Sequence, residues 1–286
     1  MSARASTEDP GLTCVPPTHE PINLLPPQIV TPIPRLSHVS FDIVECIKHS
    51  RHQDGVFRVR ANINGRRQDA ILKLFHLDDP PRDFRWKTGK DLFDTERRAY
   101  ANLIHYNLCD DGLVPQCYGF ADFPNWNPAI GCPPNPMPNQ PDPWKFFRDD
   151  VKSPMALFLE YFPDMEHLGF YNFTADAANI TLSILTRIHE AHILHYDFVP
   201  RNILVSSSGR VVVVDFGDVV IHPDDTAVYV GEISQFMYGE YADAWSMFFE
   251  HMMPDIARMR QGKAPETLLG RRWLTTDQDM SWMIEE

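Results

Sequence analysis

The chain has 286 residues, of which 43% are hydrophobic and 12% aromatic, as is typical of a globular rather than a disordered protein. Its formal net charge of -13 at pH 7 argues against nucleic acid or an anionic membrane as the main partner, because both would repel it. The five cysteines are scattered without CxxC spacing, so we expect free thiols in a reducing compartment, with no disulfide framework and no zinc site.

The sequence also predicts where the protein resides. The N-terminus lacks a basic region followed by an apolar run, so we expect no signal peptide. No apolar stretch approaches the ~20 residues that a helix needs to cross a bilayer. We therefore expect an intracellular protein, cytoplasmic or nuclear, and the sequence leaves its oligomeric state open.

Two segments are rich in proline, which removes a backbone donor and resists both helix and central strand. Residues 1–37 hold eight of the 25 prolines, and we expect an extended or disordered arm. Residues 124–154 hold nine more, which predicts a surface insertion between two strands. A role for the arm as a ligand of a partner domain stays open beside that of a passive tail.

Strands dominate the chain that follows the arm. Apolar and polar residues alternate in Phe41–Ile47 and in Val56–Ile63, and the pair Asn64-Gly65 predicts a tight turn into Gln68–Phe75. Together these features predict an antiparallel hairpin with Lys73 near the end of its second strand.

Helical spacing of apolar residues predicts a helix over Leu92–Ile104. Short strands are predicted within Val114–Asp122 and over Met155–Phe162. A second helix is predicted over Ala175–His192, with an apolar face formed by Ile180, Ile184, Leu185 and Ile188. A strand-rich front half and a helical back half indicate an α+β protein that divides near residue 163.

The strongest motif is "HYDFVPRN", which runs from His195 to Asn202 and has the form H-x-D-x-x-x-x-N. Asp215-Phe216-Gly217 begins thirteen residues after Asn202, and Gly209 marks a turn between them. These motifs, in this order, resemble the catalytic loop and the DFG motif of the protein kinases. "DAWSMFFE" (Asp243–Glu250) resembles the start of that family's central C-lobe helix, and "YVGE" (Tyr229–Glu232) its A-P-E segment.

The resemblance implies a two-lobed protein-kinase-like fold. Its N-lobe, an antiparallel sheet with one helix, would span 38–162 and include the insertion 124–154. A reduced, mainly helical C-lobe would span 163–286, and the arm 1–37 would lie outside both lobes.

The resemblance also implies ATP and Mg²⁺ as cofactors and a role for each motif residue. Asp197 would receive the proton of the accepting hydroxyl, and Arg201 would place positive charge near the γ-phosphate. Asn202 and Asp215 would hold Mg²⁺, which prefers oxygen ligands. The nucleotide contacts implied by the resemblance come from Lys73, Glu96, Gly55, Glu160 and Phe162.

Within that nucleotide site, Lys73 would grip the phosphates and pair with Glu96. The backbones of Glu160 and Phe162 would meet adenine. Gly55 is the one glycine in the expected phosphate loop, where the family typically has three, so the grip on the nucleotide should be weaker or rearranged.

Three functional hypotheses remain from the sequence. The first is an ATP/Mg²⁺-dependent kinase that acts on Ser or Thr of a protein substrate. The second is a pseudokinase that serves as a binding or scaffold module for a partner protein. The third is a small-molecule kinase of the aminoglycoside or choline kinase type, which shares the H-x-D…N pattern.

Overall fold

The computed structural model describes residues 28–78, 86–123, 142, 144–223 and 233–267. The predicted α+β class is confirmed. The strands are β1 (Val39–His49), β2 (Asp54–Ile63), β3 (Arg66–Phe75), β4 (Cys117–Asp122), β5 (Met155–Glu160), β6 (Met165–His167), β7 (Ile193–Leu194), β8 (Ile203–Ser206), β9 (Val211–Val213) and β10 (Val220–Ile221). The α-helices are α1 (Gly89–His105), α2 (Ala175–Glu190), α3 (Ile233–Ser246) and α4 (Met253–Arg260).

The largest sheet is antiparallel and has the strand order β1-β2-β3-β5-β4. Because side chains alternate across a strand, neighbours in β5 enter different cores: Phe158 packs into one hydrophobic cluster and Leu157 into the other. The same alternation puts Leu72 and Leu74 on the face away from α1 and turns Lys73 towards α1. The predicted strands in this region are confirmed.

The hairpin between β2 and β3 turns where the sequence predicts it. Asn64 and Gly65 have φ values of 52° and 80°, the left-handed backbone that a tight primed turn requires. Ile63 and Arg66 therefore pair directly across the turn. This register sets the position of Lys73 opposite Val56 of β2 and Leu157 of β5.

Helix α1 begins with a capping box in which the Thr88 and Asp91 side chains each accept from the other's backbone N–H. Helix α2 begins at the N-cap Thr174 and confirms the second predicted helix. The prediction of its apolar face is wrong for one residue, Ile180, which is 40% exposed. The α2 face that packs inward is formed by Ala177, Ala178, Leu182, Ile184, Leu185 and Ile188.

The proline-rich insertion does not lie wholly on the surface as predicted, because two aromatic side chains near its C-terminal end are buried. Residues 124–141 and 143 lie outside the described residues, but Trp144 and Phe147 are 3% and 0% exposed. Both aromatic side chains pack on the outer face of the large sheet, and Phe57 lies within 6.3 Å of each ring centroid. The energy gained by burying two large apolar side chains fixes this end of the segment despite its prolines.

The C-terminal end of the arm contacts the large sheet. Residues 1–27 lie outside the described residues, whereas Ile33 and Leu36 are buried. Leu36 N donates to Phe120 O at 2.7 Å, and Phe120 N donates to Pro34 O at 3.0 Å. The last residues of the arm thus add a short backbone pairing beside β4.

The helix that contains "DAWS" starts earlier than the motif predicts. It begins at Ile233, so Asp243 lies near its end and is exposed. A π-helical segment, Met247–Met252, joins it to α4. The "YVGE" segment falls outside the described residues. No helix in the described part of the chain is long and apolar enough to cross a membrane.

Candidate functional site

A buried lysine lies between two carboxylates at the centre of the candidate site. Lys73 Nζ is 2.8 Å and 3.0 Å from the two carboxylate oxygens of Glu96, and 2.7 Å from Asp215 Oδ1. Lys73 comes from β3 and Glu96 from α1, while Asp215 follows β9, so the contact joins three elements. Lys73 and Glu96 are 6% and 0% exposed, and the Asp215 side chain keeps 42% of its surface open.

The electrostatics of this triad follow from two negative charges sharing one positive charge. Burial opposes the charge of Lys73, but Asp215 and Glu96 outweigh it and raise the pKa of the ammonium. Burial raises the pKa of Glu96 to about 7, because the attraction of Lys73 only partly compensates and Asp215 repels. Loss of water raises the pKa of Asp215 as well, but Lys73 more than offsets it, so the pKa of Asp215 ends below its usual range.

Asp215 has a left-handed backbone, with φ at 68°. This conformation is uncommon for residues other than glycine and marks positions that the surrounding structure holds in place. The next residue, Phe216, is 0% exposed and packs its ring against Tyr100 of α1 and against His195. Packing of Phe216 therefore fixes the carboxylate of Asp215 towards Lys73.

A second cluster lies in the loop between β7 and β8. Asn202 Nδ2 donates to the backbone oxygen of Asp197 at 2.8 Å and to its Oδ2 at 2.9 Å. One terminal nitrogen of Arg201 donates to both carboxylate oxygens of Asp197 at 2.8 Å. The Asp197 carboxylate is thus oriented from two sides, and 30% of its side chain remains exposed.

The two clusters are joined through Val214, the residue before Asp215. Val214 N donates to Asn202 O at 2.9 Å, and the buried His195 ring donates from Nε2 to Val214 O at 3.3 Å. The carbonyl oxygen only accepts, so this contact sets the proton on Nε2 of His195. The loop that holds Asp197 and the turn that holds Asp215 are therefore one hydrogen-bonded unit.

Sequence reasoning missed Glu240, which organises the Asp197 loop from α3. Its carboxylate accepts from His195 N at 3.0 Å, from Tyr196 N at 2.5 Å and from His189 Nε2 at 2.8 Å. The "DAWS" motif contains another acid, Asp243, three residues further along the same helix. Composition does not distinguish these two acids, because only the orientation of α3 shows which one faces the loop.

Of the remaining candidates, Glu160 and Phe162 lie at and just beyond the end of β5. Glu160 N donates to Gln116 O at 2.9 Å, and its carboxylate accepts from Gln116 N at 3.1 Å. The Arg210 guanidinium lies 5.0 Å from the centroid of the Phe162 ring. The roles of both residues at adenine stay predictions.

Gly55 lies at the start of β2 beneath two aromatic rings. A Cβ at this position would be 2.7 Å from the Phe57 ring and 2.9 Å from the Phe147 ring. Packing alone therefore accounts for glycine here, and its predicted contact with phosphate has no separate support in the geometry.

The loop before Gly55, residues 50–53, is closed by its own hydrogen bonds. Ser50 N donates to Asp54 O at 2.8 Å, and Gln53 N donates to the Ser50 hydroxyl at 3.1 Å. The buried His76 ring ties the loop down: Nε2 donates to Ser50 O at 3.1 Å while Nδ1 pairs with Asp150 at 2.9 Å. This loop differs from an open glycine-rich cradle, in which free amides can approach phosphate.

Comparison of the chain with protein-family models finds no match, and a search of the curated proteins finds no match either.

The oxygen atoms of the site suit a hard cation. Asp215 Oδ2 and Asn202 Oδ1 accept no hydrogen bond from any described residue, and carboxylate and amide oxygens are ligands that Mg²⁺ prefers. Within the described ranges, no group of three or more His, Cys, Asp or Glu could hold a metal. A cation here would complete its shell with water and phosphate oxygens, as Mg²⁺ commonly does.

Proposed function

We propose that the protein is an ATP/Mg²⁺-dependent phosphotransferase with a two-lobed, protein-kinase-like organisation, acting on Ser or Thr hydroxyls of a protein. The observation that carries the proposal is the buried Lys73 ammonium between Glu96 and Asp215, hydrogen-bonded through Val214 to the Asp197 loop. An ion pair with a purely structural role needs only Lys73 and Glu96. The additional, half-exposed carboxylate of Asp215 is expected where a lysine binds phosphate beside an acid that binds a metal.

In this proposal ATP supplies the phosphoryl group and Mg²⁺ neutralises part of its charge. Lys73 presents a fixed positive charge to the phosphates. Asp215 and Asn202 would hold the cation through their unpartnered oxygens. Asp197, oriented by Asn202 and Arg201, accepts the proton of the attacking hydroxyl, and Arg201 keeps a positive charge beside the transferred group.

Transfer from radiolabelled ATP tests the proposal directly. The purified full chain should label itself or casein in the presence of Mg²⁺, and Asp197→Asn and Asp215→Asn should each lower the rate about 100-fold or more. Asp110→Asn, at an exposed aspartate outside the site, is the matched control and should label at the wild-type rate. Labelling that persists in both site variants would contradict the enzyme proposal, and preferential labelling of choline or an aminoglycoside would reassign the substrate class.

A second candidate function, a pseudokinase that binds a partner protein, has support from two contacts. Lys73 Nζ donates a hydrogen bond to Asp215 Oδ1, and His76 holds the loop 50–53 in place through its hydrogen bond to Ser50 O. Both contacts use groups that a nucleotide and its metal would need. In that case ATP with Mg²⁺ would neither bind nor be hydrolysed, and Asp197→Asn would leave the protein's cellular role intact.

A further inference from the structure

Lys48 of β1 is a second lysine on the face of the large sheet that carries Lys73. In the register of the sheet, Lys48 lies directly opposite Val56 of β2, and Val56 lies directly opposite Lys73 of β3. Residues that lie directly opposite each other in an antiparallel pair point to the same face. Neighbouring strands are about 4.8 Å apart, so the backbones of the two lysines are about 10 Å apart across the sheet.

The two lysines differ in how many of their hydrogen-bond donors the protein already uses. Lys73 Nζ makes three contacts, to both oxygens of Glu96 and to Asp215 Oδ1, and an ammonium has three N–H groups to donate. Lys48 Nζ lies 3.6 Å from Asp54 Oδ1, which is too long for a hydrogen bond, and it donates to none of the described residues. The side chain of Lys48 is 42% exposed, so its donors are open to a ligand.

The charge of Lys48 also acts on the carboxylate that is proposed to hold Mg²⁺. Burial opposes the ionised form of Asp215, Lys73 outweighs burial, and Lys48 is the next positive charge that lowers the pKa of this carboxyl. Asp54, the ion-pair partner of Lys48, lies two residues before Val56 in β2 and so points to the same face as both lysines. Lys48 is therefore close enough to the candidate site for its charge to act there.

The loop 50–53 leaves a need for such donors. Ser50 N donates to Asp54 O at 2.8 Å, and Gln53 N donates to the Ser50 hydroxyl at 3.1 Å, so these two amides are already used. A phosphate in the site would lack the free backbone N–H groups that an open glycine-rich loop provides. A lysine ammonium with open donors is a common phosphate-binding group and can supply the missing contacts.

We propose that Lys48 is a further phosphate-binding residue of this site and that its ammonium contacts the phosphate groups of the nucleotide. The inference rests on the proposed function, because it requires ATP beside Lys73. Without the nucleotide, the ammonium stays beside the single negative charge of Asp54. The phosphates carry several negative charges, so they attract the ammonium more strongly than Asp54 does. Lys48 then provides hydrogen bonds to phosphate, while Lys73 contributes its charge without leaving Glu96 and Asp215.

Calorimetric titration of the full chain with ATP and Mg²⁺, and separately with adenosine, tests the proposal. Lys48→Met should weaken the binding of ATP about tenfold to a hundredfold, because charged hydrogen bonds are lost, and should change the binding of adenosine by less than about twofold. Lys48→Arg keeps the positive charge and should bind ATP within about threefold of the wild type. Lys90→Met, at an exposed lysine that is ion-paired with Asp94, is the matched control and should bind both ligands as the wild type does.

A second pair of variants separates phosphate binding from folding. Asp54 is 6% exposed, and Lys48→Met removes the cation beside its carboxylate, which can lower stability. Asp54→Asn removes that negative charge. Lys48→Met combined with Asp54→Asn should therefore fold, and it should bind ATP about tenfold to a hundredfold more weakly than Asp54→Asn alone.

Three results would overturn the inference, and they identify what failed. Equal binding of ATP by Asp54→Asn with and without Lys48→Met would show that Lys48 only balances the charge of Asp54. Equal weakening of ATP and adenosine would show that Lys48 shapes the cleft and does not contact phosphate. In both cases the wild type still binds ATP, so the proposed function stands. No binding of ATP by the wild type would overturn the proposed function and, with it, this role of Lys48.

Discussion

Helix α1 separates two polar regions that differ in how completely their groups are paired. On one side, Glu96 contributes to a triad in which one ammonium meets two carboxylates at 2.7 to 3.0 Å. On the other side, beyond Arg97, His192 and the Tyr106 hydroxyl keep buried polar atoms that have no partner among the described residues. The first region therefore contributes to the stability of the folded chain, whereas the second lowers it, because its buried polar atoms are unpaired.

The largest effect should come from removing the cation of the paired region. Lys73→Met leaves Glu96 and Asp215 facing each other without a positive charge, so the free energy of unfolding should fall by about 3–5 kcal/mol. Urea denaturation measures this. Lys90→Met, at a lysine whose side chain is 66% exposed beside Asp94, is the control and should change stability by less than about 1 kcal/mol. An equal loss in the free energy of unfolding in the two variants would contradict the proposed contribution of the paired region to stability.

Glu240 extends the paired region, since its carboxylate satisfies three donors of the Asp197 loop. Glu240→Ala should lower the free energy of unfolding by about 2–4 kcal/mol, because two backbone N–H groups and the His189 ring lose a charged acceptor. Asp243→Ala is the control on the same helix and should be nearly neutral. The reverse order of the two variants would show that Asp243, and not Glu240, stabilises the Asp197 loop.

The pH dependence of the paired region should reflect Glu96. Its pKa in the folded protein is about 7, above the usual 4.5, so the folded state keeps a proton that the unfolded state releases. The stability contributed by this carboxyl is therefore present below about pH 4.5 and lost as the pH rises to about 7. The expected loss is up to about 3 kcal/mol.

Glu96→Gln, which cannot titrate, isolates the Glu96 contribution. The difference in melting temperature, wild type minus variant, should decrease as the pH is raised from 4.5 to 7 and then level off. A difference that stays constant or increases across this range would show that Lys73 keeps the pKa of Glu96 at or below its usual value.

The smallest effect should come from the region with unpartnered atoms. Tyr106→Phe removes a hydroxyl that has no partner among the described residues, so its free energy of unfolding should stay within about 0.5 kcal/mol of wild type or rise. Chemical denaturation without added anions measures this. A clear loss of stability would show that the hydroxyl is satisfied in the folded protein, and the contrast between the two sides of α1 would disappear.

Much of the fold follows from local patterns in the sequence. The alternation in β2 and the Asn64-Gly65 turn predict the hairpin and therefore the position of Lys73, because register depends on nearby residues. Helix α1 is predicted by its spacing, which puts Glu96 on the face towards the sheet. The burial of Trp144 and Phe147 was not predictable, since proline content indicates what a segment cannot form but not where its aromatic residues pack.

The candidate site, too, was predictable from the sequence only in part. The Asp197, Asn202 and Asp215 motif is local and could be found in the sequence, whereas the role of Glu240 and the surroundings of His192 depend on how distant elements meet. His192 has no signal of its own, because a histidine before a strand is equally compatible with an ordinary buried position. Its unpartnered nitrogens become visible only when Tyr106 and the arm are placed around it.

A thermal-shift titration with ATP, with and without Mg²⁺, tests whether the Lys73–Asp215 site binds a nucleotide with its metal. A ligand that binds only the folded state stabilises it by mass action, by several kcal/mol at a ligand concentration of ~1,000 times its Kd. The melting temperature rises as a result. The wild type should show a Mg²⁺-dependent increase in melting temperature that Asp215→Asn abolishes and Asp110→Asn retains. Absence of any shift with ATP and Mg²⁺ in the wild type would contradict the proposed function.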